Sequence, residues 1–156
     1  MRIASLSAAA AVSLAALAFA AALAVPGKAA AQVDAPVGPD KVVYHFSAGL
    51  EQASDGLRNI RNHLEINPKA RIVVVAHARG VDFLMKGQKD ANGNRYQDIV
   101  ENLKNEGGVQ FDVCEITLRN RKLKREQFID EVVYVPSGVA KITHLQQREG
   151  YAYLRP

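Results

Sequence analysis

The sequence predicts an α/β domain in which helices cover both faces of a parallel sheet. Two observations carry this prediction. From residue 41 onward, short β-branched runs alternate with segments whose apolar residues recur at helical spacing. One of these runs, Ile72 to Ala76, is apolar without interruption, as in a strand that is buried on both faces of a parallel sheet. The chain has 156 residues, which is enough for one such domain.

The first 31 residues have the organisation of a secretory signal peptide. Arg2 precedes an apolar run from Ile3 to Val25, and Pro26-Gly27 then leads into three alanines. We predict cleavage after Ala31; the alternative is an uncleaved membrane anchor, which the high alanine content and the small-residue site disfavour. Residues 1–31 are then the signal peptide, 32–40 a flexible lead-in and 41–156 the mature domain, which is expected to be soluble and periplasmic.

The first half of the domain is predicted to contain two strands and two helices. Lys41–Phe46 is the first strand, and the segment after it has one apolar helical face that ends at Asn67-Pro68. Arg71–His77 is the clearest strand, and Gly80–Lys86 has the apolar spacing of a short helix. The apolar face of the first helix consists of Leu50, Ala53, Leu57, Ile60 and Leu64.

The second half begins with a polar loop over residues 88–95 and a helix from Tyr96 that stops at Gly107-Gly108. Arg119–Asp130 is predicted to be a helix with a basic start. Ser137 is a good N-cap for a last helix, which closes at Gly150. The remaining strands are predicted at Val109–Cys114, Glu131–Val135 and Tyr151–Leu154.

Reactive and polar side chains follow the predicted strands at the carboxyl edge of the sheet, where open α/β sheets bind ligands. His45 closes the first strand, His77 the second and Cys114 the third, while Ser137 follows the fourth. Because a thiolate is a strong nucleophile, Cys114 is the candidate catalytic residue. His45 and His77 are candidate general bases or proton shuttles for it, metal ligands, or histidines with a structural role only.

Cys114 is the only cysteine, and the sequence leaves its state open. It is a reactive thiol, an intermolecular disulfide partner or a buried and inert residue. Arg79 after the second strand, and Arg119 and Arg121 in the basic segment after Cys114, are candidates for stabilising an anion. Ser137 and the N-terminal amides of its helix could bind the same anion.

Composition and motifs exclude other function classes. A single cysteine rules out an intramolecular disulfide framework and a multi-cysteine zinc site. The net charge of +4 falls to +2 beyond residue 31, so nucleic-acid binding is not expected. Nucleotide-binding glycine motifs and the hydrolase Gly-x-Ser-x-Gly motif are missing. Residues 90–94 imitate a calcium loop, but Arg95 replaces its required glycine. His63 and His144 are interpreted as surface residues.

Several segments together resemble the DsrE/DsrF-like family of small sulfur-relay proteins, over about residues 41–156. The resemblance is closest to the exported, single-domain members. It implies a three-layer α/β/α sandwich with a five-stranded, mainly parallel sheet, and a homo-oligomer, commonly a trimer or hexamer. The segments that carry it are Val42–His45, Leu57–Leu64, Ile72–His77, Phe111–Cys114, Val135–Ala140 and Gly150–Tyr153.

The same resemblance implies a function for Cys114, which occupies the place of the cysteine that accepts a persulfide sulfur in sulfur-relay members. The protein would be an exported sulfur carrier, sulfurtransferase-like if active, with a donor or acceptor protein as partner. His45 and His77 would assist protonation. The alternatives are a non-catalytic module that binds a metal or small ligand, and an oligomeric interaction protein with an inert cysteine. No cofactor, no nucleic acid and, after signal cleavage, no membrane partner is expected.

Overall fold

The strands form a single parallel sheet with the spatial order β4-β3-β2-β1-β5 in a computed structural model that describes residues 39–156. The predicted signal peptide and most of the lead-in lie outside the described residues. The prediction of five strands is confirmed, with ends that move by at most one residue. The strands are β1 Lys41–Phe46, β2 Arg71–Ala76, β3 Gln110–Cys114, β4 Val132–Val135 and β5 Ala152–Leu154.

Four α-helices and two short 3₁₀ segments connect the strands. The helix predicted over Gly80–Lys86 is a 3₁₀ segment over Ala78–Leu84, and a second 3₁₀ turn spans Arg125–Gln127. Within residues 39–156, no helix is both long enough and apolar enough to cross a bilayer. The α-helices are α1 Leu50–Ile66, α2 Tyr96–Gly107, α3 Glu115–Arg121 and α4 Gly138–Glu149.

The sheet buries both of its faces, as the apolar run of β2 predicts. Successive side chains of a strand point to opposite faces, so β2 divides its residues between two clusters. Ile72 and Val74 pack on the side of α1 and α2, whereas Val73 and Val75 pack beneath α4. This division produces the three layers of an α/β/α sandwich, which confirms the predicted fold class.

The helix predicted over Arg119–Asp130 is wrong in both boundaries. The helix starts directly after Cys114, which is its N-cap, and ends at Arg121 because Lys122 adopts a left-handed conformation with φ +55°. The chain must turn there so that Phe128 and Ile129 reach the core, where the Ile129 N–H donates to the Leu84 carbonyl at 3.0 Å. A continuous helix would keep these two residues away from the sheet.

Candidate functional site

His45, His77 and Cys114 come together at the carboxyl edge of the sheet, on the side that α4 covers. His45 lies two residues after Val43 in β1, and His77 lies two residues after Val75 at the end of β2. Because both valines pack beneath α4, the strand periodicity places both histidines on the same face. Cys114 is the last residue of β3, the neighbour of β2.

A cavity of about 410 Å³ lies beside this edge. His77 and Cys114 both line it, whereas His45 is not a lining residue and contacts His77. The wall comes from the segment after β2, from α3 and from the start of α4. The other lining residues are Ala78, Arg79, Ile116, Thr117, Asn120, Arg121, Ser137 and Val139.

The Cys114 thiol is buried, with 4% of the residue exposed. Burial raises the pKa of this thiol, but hydrogen bonds from the backbone N–H groups of Gly138, Thr117 and Ile116, with a side-chain hydrogen bond from Thr117, hold the pKa below its ordinary value. The Thr117 hydroxyl oxygen accepts from the Ala78 N–H at 2.9 Å, which leaves the hydroxyl proton free to donate to sulfur. The surroundings therefore favour the thiolate, which is the nucleophilic form.

Gly138 lets the first residue of α4 approach the site closely. A Cβ atom added at Gly138 would lie 3.2 Å from Cys114 Cβ and 3.3 Å from His77 Cβ. Contacts this short require the neighbours to move, so a side chain at this position would push α4 away. The glycine thus lets the first turn of α4 lie directly against Cys114 and His77.

The turn after β2 holds His77 against α3. Ala78 has φ +49°, a left-handed conformation that costs a non-glycine residue roughly 1–2 kcal/mol. Two contacts from α3 compensate this strain: Thr117 accepts from the Ala78 N–H, and Arg121 Nη1 donates to the Ala78 carbonyl at 2.8 Å. These contacts fix the direction in which the chain leaves His77.

The two histidines bind each other directly. His45 Nε2 and His77 Nε2 are 2.6 Å apart, with ring planes 21° from parallel, and His45 Nδ1 lies 2.6 Å from the Tyr153 hydroxyl. Burial, the neighbouring His77 and the positive charge of Arg155 lower the pKa of His45 to about 4. Burial and Arg155 also lower the pKa of His77. Both imidazoles are therefore neutral at neutral pH.

The predicted anion-binding residues divide into two groups. Arg79 and Ser137 line the cavity, and Ser137 also caps α4 by accepting from the Ala140 N–H at 3.3 Å. Arg121 lines it too, but its guanidinium lies 2.6 Å from Asp82 Oδ1. Arg119 does not belong to the site: its side chain lies in a separate depression beside Leu118 and Lys122, because it lies on another side of α3.

The sequence predicted that His63 is a surface residue and that residues 90–94 only imitate a calcium loop. His63 is not a simple surface residue, since its ring lies between the Tyr44 hydroxyl and the Asp40 carboxylate at 3.1 Å from each. The imitation of a calcium loop has a structural explanation. The Asp90 carboxylate accepts from the backbone N–H groups of Asn92 and Asn94 and closes its own loop.

Four residues around the site were not predicted from the sequence: Tyr153, Arg155, Thr117 and Gly138. The pairing of β5 with β1 brings Tyr153 to His45 across 108 positions of the chain and places Arg155 near it, and no local pattern signals that pairing. In the described part of the chain, no group of three or more His, Cys, Asp or Glu side chains could hold a metal ion.

Comparisons with known proteins agree with this architecture. The sequence model of the DsrE/DsrF-like family matches residues 7–156. The chain is 31% identical to MTH1491, a protein of unknown function from Methanobacterium thermoautotrophicum, over 75% of this chain and 99% of that one, with a TM-score of 0.66. The ychN protein of E. coli shares the fold at 17% identity, with 76% of this chain and 100% of that one covered and a TM-score of 0.61. A search of the curated proteins found no match.

Proposed function

Because the chain belongs to the DsrE/DsrF-like family, we propose that it is a sulfur-relay protein that carries one sulfur atom as a persulfide on Cys114. The observation that carries the proposal is the environment of the Cys114 sulfur. Backbone N–H groups from the first turns of α3 and α4 face it, and the cavity opens beside it. Hydrogen bonds of this kind stabilise a thiolate, the form that attacks sulfane sulfur.

The proposed cycle has two thiol exchange steps. In loading, the Cys114 thiolate attacks the terminal sulfur of a persulfide or polysulfide donor. A new S–S bond forms to Cys114 while the S–S bond of the donor breaks, and the donor leaves as a thiolate that takes up a proton. In unloading, an acceptor thiolate attacks the outer sulfur and Cys114 leaves as a thiolate. The electrons balance within each step, so no external oxidant or reductant is required.

The charges around the cavity support an anionic ligand. Arg79 lines the cavity, its guanidinium lies against Gly49, and it forms no ion pair with an acidic residue of the described chain. Arg121 contributes less, because Asp82 already neutralises it. The Ser137 oxygen accepts from a backbone N–H, which leaves its own proton for a ligand.

The rim of the cavity favours a protein as donor or acceptor. Ile116 is 38% exposed and Val139 is 62% exposed, and both line the cavity. Exposed apolar residues around a reactive group suit contact with another protein surface. We extend the proposal to such a partner and, from the family resemblance, to a homo-oligomer. Export to the periplasm belongs to the same proposal and rests on the sequence pattern of residues 1–31.

The burial of Cys114 also favours a second candidate function. A cysteine with 4% exposure packs as a small apolar residue, as expected of an inert thiol in an oligomeric interaction protein. Binding of a metal or a small ligand has less support. The Nε2 atoms of His45 and His77 are occupied by each other, and Cys114 supplies only one soft ligand.

The test is the intact mass of the mature protein after incubation with polysulfide, beside a Cys114→Ala variant. The proposal expects a gain of whole sulfur atoms that reductant removes and that Cys114→Ala does not show. A thiol that alkylates readily in the native protein but gains no sulfur contradicts the carrier and favours ligand binding. A thiol that alkylates only after unfolding favours the interaction protein.

A further inference from the structure

We propose that Tyr153 and His45 are positioning residues that fix the tautomer of His77, so that His77 presents an Nδ1–H donor to a sulfur anion at Cys114. This inference deepens the proposed function and rests on it for the identity of the anion. It assigns His77 the role of a hydrogen-bond donor rather than a general base. The juxtaposition that carries it is the chain of contacts from Tyr153 through His45 to His77.

The first step is the direction of the hydrogen bond between Tyr153 and His45. Their oxygen and Nδ1 atoms are 2.6 Å apart. A phenol hydroxyl donates more strongly than a neutral imidazole N–H, and a bare imidazole nitrogen accepts more strongly than a phenol oxygen. Tyr153 therefore donates its proton, and His45 Nδ1 is the bare, accepting nitrogen. A neutral imidazole with a bare Nδ1 carries its proton on Nε2.

The second step derives the tautomer of His77 from the tautomer of His45. The Nε2 atoms of the two rings are 2.6 Å apart, so only one proton fits between them. Because His45 holds that proton, His77 Nε2 accepts and His77 Nδ1 must carry the remaining proton. Arg155, which follows β5, places a positive charge near both rings and disfavours a second proton on the pair.

The third step concerns the open side of His77. No residue of the described part, 39–156, forms a hydrogen bond with His77 Nδ1, while His77 lines the same cavity as Cys114. Gly138 lies against the Cβ atoms of both residues, which keeps His77 and Cys114 close on either side of the start of α4. An N–H at this position stabilises negative charge on sulfur, as the backbone N–H groups of α3 and α4 do.

The test of the tautomer is a long-range ¹H–¹⁵N spectrum of the imidazoles at neutral pH. The inference expects a protonated Nδ1 and a bare Nε2 on His77 in the wild type. Tyr153→Phe removes the donating hydroxyl and should convert His77 to a mixture of tautomers. Tyr151→Phe is the matched control, because Tyr151 lies two residues earlier, makes no contact with His45 and should leave the spectrum unchanged. A bare Nδ1 on His77 in the wild type, or an identical spectrum in Tyr153→Phe, overturns the inference.

A second readout measures the consequence at Cys114. The ratio of its alkylation rates with iodoacetate and iodoacetamide reports how well the cavity accepts negative charge. A hydrogen bond to a charged group corresponds to about a tenfold effect at full strength, so a threefold to tenfold loss of the ratio is expected in Tyr153→Phe and in His45→Phe. Tyr151→Phe and His144→Phe should retain the wild-type ratio. An unchanged ratio in both site variants contradicts the inference.

The two proposals fail in distinguishable ways. The wild type could gain no sulfur from polysulfide but show the expected His77 tautomer and the expected ratio of alkylation rates. That result supports the positioning role of Tyr153 and His45 and contradicts the sulfur-carrier function. If sulfur is gained while His77 Nδ1 is bare, the carrier stands and His77 acts as a base. Tyr153 is 40% exposed, so its loss of one hydroxyl should leave folding intact, which circular dichroism checks.

Discussion

Two histidines of this protein contact a tyrosine hydroxyl at opposite edges of the sheet, with different consequences. At the amino edge, His63 lies between Tyr44 and the carboxylate of Asp40, and both ring nitrogens are engaged. At the carboxyl edge, His45 lies between Tyr153 and a second histidine, which lines the cavity and whose far nitrogen has no hydrogen-bond partner among residues 39–156.

The difference shows what separates a structural histidine from one that can act on a ligand. The Asp40 contact closes the amino-edge cluster, and hydrogen bonds from Asn67 and His63 hold the pKa of Asp40 below its usual range. At the carboxyl edge no carboxylate of residues 39–156 contacts either ring, and burial together with Arg155 lowers the pKa of both histidines. A histidine beside a tyrosine is therefore uninformative until the partner of its other nitrogen is known.

The largest predicted effect concerns glycines at the two edges. In Gly80→Ala, at the carboxyl edge, the new Cβ would lie 2.2 Å from the backbone oxygen of Phe46, which cannot move without shifting β1. In Gly107→Ala, at the amino edge, it would meet the end of the Leu64 side chain at 2.6 Å, which can rotate away. Urea unfolding should show a loss of about 3 kcal/mol for Gly80→Ala and below about 1 kcal/mol for Gly107→Ala. Equal losses would mean that the turn before Gly80 is not rigid.

A second prediction uses the pH dependence of stability. The unfolded chain protonates His45 near its ordinary pKa of 6.5, but the folded protein does so only near about 4. The unfolded state thus binds more protons between these values, and stability falls as the pH drops from 7 toward 4. After discounting for partial exposure, His45→Gln should remove on the order of 1 kcal/mol of the loss between pH 7 and pH 5.

The check is the free energy of unfolding at pH 7 and at pH 5 for the wild type and His45→Gln. His144→Gln serves as the control, because His144 is an exposed histidine of α4. Parallel pH profiles of the wild type and His45→Gln would contradict the assignment of a neutral histidine pair.

A third prediction separates stability from reactivity at the two edges. His63→Gln leaves the buried Tyr44 hydroxyl, on a residue that is 3% exposed, without its ring partner. The expected cost is about 1 kcal/mol of stability, with no change in the alkylation rate of Cys114. His77→Gln should instead lower the alkylation rate by iodoacetate several-fold. A change of Cys114 reactivity in His63→Gln would show that the two edges are coupled.

The smallest predicted effect compares two arginines. Arg79 lines the cavity, whereas Arg119 lies in a separate depression. Arg79→Gln should reduce the rate of Cys114 with iodoacetate about threefold at low salt, since one charge near the surface contributes about 1 kcal/mol or less. Arg119→Gln should leave that rate unchanged. Equal effects of the two variants would mean that the rate of Cys114 with iodoacetate depends only on the net charge of the protein.

The sequence was sufficient for the sheet but not for the segment after Cys114. The apolar run of β2 and the capping signals of Ser137 and Gly150 are local, and the structure has them where they were predicted. The end of α3 at Arg121 depends on Phe128 and Ile129 returning to the core, which is a tertiary requirement. Apolar spacing alone did not reveal it.

The same distinction applies to the site. The rule that ligands bind at the carboxyl edge was enough to select His45, His77 and Cys114 from separate strands. Tyr153 was missed because it reaches His45 only through the pairing of β5 with β1. Gly138 was missed because its contact with Cys114 depends on how α4 docks.

The most direct test of the central claim is the pH profile of Cys114 alkylation in the native, mature protein. The account predicts a single thiol that reacts with iodoacetamide without unfolding, with a midpoint below the ordinary pKa of a cysteine thiol, because N–H groups of α3 and α4 stabilise the thiolate. A thiol that reacts only in denaturant, or with a midpoint above that ordinary value, would contradict it and leave Cys114 as part of the core.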